Sequence, residues 1–277
     1  MNRALLIGIN KYPGCPLRGC VNDITDIENA LHVALGNSIA RNVLLDGDAT
    51  TEAMRNGLAW LVLGASPGDK LLFWESRHGA QVPTLDPAGE PDGLDEVCCP
   101  VDFDWTEAHM IRDKEFHRIF SAVPPGVEFV WGSDSCHSGD LSRNPIAPRH
   151  FTVPAHIEDQ LRKARLTQRG FDHRGFARTA STGLNVALCS GCASSQTSAD
   201  AQFDGRPNGA FTYAFLWALQ HKDGRQQPLH IVMDRARAWL RQNGYEQVPQ
   251  LEGSAEIAAR PFLSLQGAGS KEQGGTK

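Results

Sequence analysis

The chain has 277 residues, 41% hydrophobic and 21% charged, with a formal net charge of -5. This is ordinary globular composition, long enough to bury a core without disulfide staples, and it excludes a global basic field for nucleic acid. The apolar run in MNRALLIGIN is too short for a signal segment, and no stretch approaches the roughly 18 apolar residues of a spanning helix. The seven cysteines, an odd count, fit reduced thiols better than a secreted disulfide framework. The expectation is a cytoplasmic protein with no membrane and no nucleic-acid partner.

Ala4–Ile9 is a short apolar run followed by turn residues and reads as a buried strand. Val21, Ile24, Ile27, Leu31 and Leu35 then recur at threes and fours, one apolar helix face. A strand at Asn42–Leu45 precedes a helix capped by Thr50 or Thr51 and running to about Leu63. Strand Lys70–Trp74, a shorter helix from Asp113 to Phe120, and strand Val127–Trp131 follow. The stretch from about Arg143 to Thr182 is rich in arginine and proline and poor in large apolar residues. It reads as an exposed linker with a helix around Ile157–Leu166. A fifth strand at Asn185–Cys189, helices at Phe211 to Leu219 and Leu229 to Leu240, and a weaker sixth strand near Pro261–Leu265 complete the pattern. The tail from about Gln266 has the composition of a disordered segment.

Strands alternating with helices imply a mostly parallel sheet covered on both faces. Active residues in such sheets sit on loops beyond the carboxyl ends of strands. Strand Lys70–Trp74 ends in Glu75-Ser76-Arg77-His78-Gly79, and strand Val127–Trp131 ends in a segment from Gly132 to Gly139. If the two strands are neighbours, His78 and Cys136 share one rim.

That pair can do acyl-transfer chemistry. A free thiol, with a pKa of about 8.5, is only slightly ionised at neutral pH, and an imidazole within reach corrects this. The same imidazole can protonate the leaving amine. Gly79 lets backbone N–H approach a substrate carbonyl, so the N–H groups of Gly79 and Cys136 are candidates for an oxyanion hole. His137 adjoins Cys136, but neighbours in an extended loop point apart. Taken alone, Cys136 could be a buried small hydrophobe, His78 a satisfied loop histidine, Asp23 a helix cap and Asp134 a turn residue. Cys189 and Cys192 read as structural, since no second pair with zinc-like spacing accompanies them.

Asp134-Ser135-Cys136-His137-Ser138-Gly139 resembles the nucleophile motif of metacaspases and bacterial caspase-like peptidases. ALLIGIN, Cys15-Pro16-Leu17-Arg18-Gly19-Cys20-Val21-Asn22-Asp23, His78-Gly79-Ala80-Gln81 and Gln196-Thr197-Ser198-Ala199-Asp200 are similar to that family too, as are Gly209-Ala210-Phe211-Thr212 and Gln250-Leu251-Glu252-Gly253. The resemblance implies an α/β caspase-hemoglobinase fold, a three-layer αβα sandwich around a mostly parallel sheet of about six strands. A large catalytic part would occupy residues 1–142, a basic linker open to autoprocessing 143–183, a small part 184–265, and a disordered tail 266–277.

It further implies a cysteine endopeptidase cleaving after Arg or Lys through Cys136 and His78. Asp23 and Asp134, with Cys20 beside them, would bind the basic residue before the scissile bond. Self-cleavage would fall after Arg165, Arg169 or Arg178. Partners would be protein or peptide substrates and an activating protein, and the chain would be monomeric. The family's calcium ligands would fall at Asp113 and Lys114 and near Asp140 or Arg143. An ammonium cannot coordinate calcium, so no cofactor is expected, with Asp92, Asp95 and Asp113 as weak ligands only. One departure is Arg77, where the family usually has glycine before the histidine. Its cation could act on His78, with Glu75 as an offset, and the alternative is a catalytically weak scaffold or binding module.

Overall fold

The computed structural model describes residues 1–85, 93–135, 153–155, 157–159, 183–193, 196 and 198–264. Six strands form one sheet: β1 (Asn2–Gly8), β2 (Ala40–Leu45), β3 (Lys70–Ser76), β7 (Glu128–Asp134), β8 (Ala187–Ser190) and β11 (Gln250–Gly253). Their order is β11-β8-β7-β3-β1-β2. All neighbours are parallel except β11, which runs antiparallel to β8. Between β3 and β7 lies a separate antiparallel unit of β4 (Gly79–Pro83), β5 (Leu94–Cys98) and β6 (Ile111–Arg112), and a hairpin of β9 (Asp200–Phe203) and β10 (Arg206–Gly209) follows β8.

Strand side chains alternate between faces, and both faces here are apolar. Leu5, Ile7, Phe73, Phe129, Trp131 and Leu188 meet α2 (Thr51–Val62) and α3 (Asp113–Phe120) on one side. Leu6, Leu72, Trp74, Val130 and Cys189 meet α1 (Cys20–Leu35), α4 (Ala210–Gln220) and α5 (Leu229–Gln242) on the other. Thr50 caps α2 by accepting from the Ala53 N–H at 3.3 Å. A short helix, α6 (Ala255–Ala258), closes the chain behind β11.

Three expectations need correction. The sixth strand is Gln250–Gly253, whereas 262–264 form a 3-10 turn and Pro261 makes a single bridge to Pro228. Strands β3 and β7 run further than expected, to Ser76 and Asp134. Gly132, expected to follow the strand, lies within β7 against the Trp74 ring. A Cβ there would sit 2.1 Å from Trp74 Cε3. The β4–β6 unit and the β9–β10 hairpin were not anticipated. The proposed helix at 157–166 falls largely outside the described residues, as do most of the basic linker and the tail.

Candidate active site

Strands β3 and β7 are neighbours, and their register pairs Ser76 with Asp134. Both loops of interest therefore leave one end of the sheet. His78 lies two positions beyond Ser76, and Cys136 two beyond Asp134. Cys136, His137 and Asp140 lie outside the described residues, as do Asp92 and Arg143.

His78 is fully buried. Its Nε2 stands 2.8 Å from the Cys15 carbonyl oxygen. A carbonyl only accepts, so this contact assigns the proton to Nε2 and leaves Nδ1 as the basic nitrogen of the neutral ring. The Tyr12 ring packs on the imidazole at 4.7 Å.

Arg77, directly before His78, pairs with Glu75. It is fully buried, with Nε and Nη2 2.8 and 2.7 Å from Glu75 Oε2 and Nη1 donating to the His78 carbonyl at 2.8 Å. Glu75 also accepts from Ser133 Oγ at 3.0 Å and Trp131 Nε1 at 3.3 Å. Burial works against the Arg77 charge, but the thiol of Cys98 and the Glu75 carboxylate nearby hold its pKa above the ordinary guanidinium value. The offset by Glu75 is thus a direct ion pair on the α2–α3 face.

Asp23 and Asp134 lie on the opposite face, and both are fully buried. Asp23 is the fourth residue of α1, where Gly19 holds the cap position, so it is not the helix cap that its place in the sequence suggests. It accepts from Ser76 Oγ at 2.6 Å, Gly209 N at 2.8 Å and Asn208 Nδ2 at 3.0 Å. Asp134 is the last residue of β7 and not a turn residue. It accepts from Thr212 N at 2.9 Å, Thr212 Oγ1 at 2.8 Å and Ser198 Oγ. Gly209 and Thr212 flank the start of α4, so one helix N-terminus presents N–H groups to both carboxylates. These donors orient the two carboxylates. Cys20 is buried at the start of α1, with its N–H held 2.9 Å from Asn10 Oδ1.

Two residues of this region were missed in the sequence. Ser76 joins the two acids, hydrogen-bonded to one and register-paired with the other. Asp200 accepts from the N–H groups of Arg18 and Gly19 at 3.0 and 2.9 Å and so ties β9 to the loop before α1. Gly19 permits this approach, since a Cβ there would sit 2.4 Å from Asp200 Oδ1. The only signal in the sequence was the place of both residues inside motifs.

Of the acids considered for calcium, Asp95 lies in β5 and Asp113 is the buried first residue of α3. Asp95 is buried, with Oδ2 2.6 Å from Arg112 Nη1 and Oδ1 3.1 Å from Lys114 Nζ. Lys114 also donates to Thr84 Oγ1 at 3.0 Å. Two fixed cations thus face the two oxygens of Asp95, and a calcium ion needs oxygen ligands in that space. Asp95, so paired, does not fit a calcium ligand. Among the described residues, no group of three or more His, Cys, Asp or Glu side chains could hold a metal ion. Cys189 is buried in β8, and burial pushes its thiol up to about 12, unsuited to redox exchange.

Comparison with known proteins points to one family. The model of the metacaspase peptidase C14 domain matches residues 2–145. Metacaspase-1A of Aspergillus oryzae is 32% identical over 96% of this chain and 71% of its own length. Metacaspase-1A of Aspergillus clavatus is 34% identical over 91% of this chain and 66% of its own. Metacaspase-1B of Neosartorya fischeri is 30% identical over 93% and 70%. A crystal structure of a Geobacter sulfurreducens protein superposes with a TM-score of 0.68 at 23% identity, covering 95% of this chain and 98% of that one. At that identity the likeness speaks to fold alone.

Proposed function

Because the chain belongs to the metacaspase family of C14 peptidases, we propose that it is a cysteine endopeptidase cutting after Arg or Lys with Cys136 as nucleophile and His78 as base. The cysteine peptidase class, protein substrates and the caspase-hemoglobinase fold follow from that membership. The observation that carries the finer reading is the Ser76–Asp134 register, which sends the segments bearing His78 and Cys136 from adjacent strand ends beside two buried carboxylates.

The steps follow from these residues. His78 Nδ1 takes the Cys136 proton, and the thiolate attacks the carbonyl carbon after a basic residue. The C–N bond breaks as His78 returns the proton to the amine, leaving a thioester that water hydrolyses. The Cys136 and Gly79 N–H groups stabilise the oxyanion. Backbone pairing supports Gly79 in this role. His78 directs its N–H and C=O toward the β5 side, where its oxygen accepts from Cys99 N at 3.4 Å, so the next N–H, that of Gly79, points the other way. Asp23 and Asp134 would hold the substrate guanidinium or ammonium in charge-assisted hydrogen bonds, with Cys20 beside them.

No metal enters the proposed steps, and the pairing of Asp95 with Arg112 and Lys114 supports that reading. The buried Glu75–Arg77 pair disfavours the inactive-scaffold alternative, since the Arg77 charge has a partner of its own. Linker cleavage after Arg165, Arg169 or Arg178 would be intramolecular or intermolecular use of the same site. Among the described residues no helix is long and apolar enough to cross a membrane.

A fluorogenic peptide with Arg before the reporter amide tests the assignment. Wild-type protein should release the reporter in the presence of EGTA, and Cys136→Ala and His78→Ala should not. Equal turnover by wild type and Cys136→Ala would refute it. Mass spectrometry of the purified wild type should find new C-termini at Arg or Lys between 143 and 182, absent from Cys136→Ala.

A further inference from the structure

One hydroxyl group interrupts the backbone pairing at His78. In the β4–β5 ladder Gly79 stands opposite Cys98, so His78 and Cys99 form the next pair outward. An ordinary antiparallel pair at that step exchanges two N–H···O=C bonds. One is present, from Cys99 N to the His78 oxygen at 3.4 Å. The other is replaced by Tyr12. The His78 N–H donates to Tyr12 Oη at 3.3 Å, and Tyr12 O–H donates to the Cys99 oxygen at 2.7 Å. The hydroxyl is a wedge that satisfies both backbone groups while holding them too far apart to bond directly.

The rest of Tyr12 acts on the same histidine. Its ring lies 4.7 Å from the imidazole, tilted by 51°. The loop it belongs to is tied at its base by Leu17 N to the Asn10 oxygen at 2.8 Å, and within it Cys15 N reaches the Tyr12 oxygen at 3.4 Å. That loop also supplies the Cys15 carbonyl that receives His78 Nε2–H. Burial raises the Tyr12 phenol well above its usual range, with the Cys99 thiol adding to the effect, so the hydroxyl remains a donor across the working pH range.

We propose that Tyr12 is the positioning residue of the catalytic histidine: its wedged hydroxyl sets where His78 leaves the sheet, and its ring sets the tilt of the imidazole. The inference rests on the reading of His78 as acid–base partner of Cys136. Such a group contributes most where the proton must reach a poor leaving group. Cleaving an amide requires protonation of the departing nitrogen as the C–N bond breaks. An activated ester with the same acyl part expels its phenolate without that proton. A displaced imidazole therefore slows the amide far more than the ester, whereas a general loss of folded enzyme slows both equally.

The experiment compares two P1-arginine substrates with one acyl sequence, an aminocoumarin amide and a hydroxycoumarin ester, across wild type, Tyr12→Phe, Tyr12→Leu and His78→Ala. Tyr12→Phe should lower kcat for the amide by about tenfold and for the ester by less than about threefold, with KM little changed. Tyr12→Leu, lacking the ring as well, should widen the amide-to-ester gap further. Because both substrates report on the same folded fraction, the ratio stays informative if a variant is partly unfolded. An unchanged ratio in both Tyr12 variants, with amide turnover abolished in His78→Ala, overturns the role of Tyr12. Full amide turnover in His78→Ala instead removes the reading of His78 on which it rests.

Discussion

Adjacent residues at the tip of β3 lead to opposite electrostatic worlds. Glu75 faces the α2–α3 side, where Arg77 cancels its charge in a fully buried ion pair. Ser76 faces the α1–α4 side, where Asp23 and Asp134 accept from hydroxyl, amide and helix N-terminal donors of the described residues. The alternation of a strand thus separates a carboxylate in an ion pair from carboxylates that accept from hydroxyl and N–H donors, within one residue of the chain. The first arrangement serves the fold. The second is where the proposed basic-residue subsite would sit.

The sharpest way to break this contrast is to remove the internal cation. Arg77→Ala leaves Glu75 buried without its partner and should destabilise the protein by about 3–5 kcal/mol in urea unfolding. A double variant, Glu75→Gln with Arg77→Met, should recover most of that loss. If Arg77→Ala unfolds like wild type, the pair is not holding the site together. On the other face, Asp134→Asn keeps shape and removes charge. It should lower kcat/KM for an Arg-P1 peptide by roughly 100-fold, the order expected for loss of a buried charge-assisted contact, with a smaller effect on folding. Ser76→Ala removes one donor to Asp23 and should lower kcat/KM for the same peptide by roughly tenfold or less. Lys114→Ala should have the smallest effect. Its side chain is 39% exposed and Arg112 still pairs with Asp95, so less than about 1 kcal/mol of stability is at stake. Activity of the wild type should be unaltered by EGTA, and a requirement for added calcium would contradict the role given to the two cations.

Much of this was legible in the chain, for reasons that differ by element. The helix from Asp113 to Phe120 matches its expected bounds because acidic residues open it and an apolar stripe runs its length. The parallel strands were visible as short apolar runs, but their ends were not. Ser76, Ser133 and Asp134 are polar strand residues whose burial depends on partners distant in sequence, and at Gly132 the Trp74 ring leaves no room for a Cβ. The β4–β6 unit escaped notice because its strands are short and carry Gln81, Asp95 and Glu96 among apolar residues. At the site, His78, Asp23 and Asp134 were found through motifs, not through any periodicity. Tyr12 and Ser76 were not found, since each acts through a hydroxyl whose partner lies in another element.

Citrulline has the size and shape of arginine without the charge, so matched peptides with one or the other before the scissile bond isolate the electrostatic claim. The ratio of kcat/KM for the two should be large in the wild type and should collapse toward unity in Asp23→Asn/Asp134→Asn. Comparable cleavage of both peptides by the wild type, or an undiminished preference in the double variant, would contradict the account.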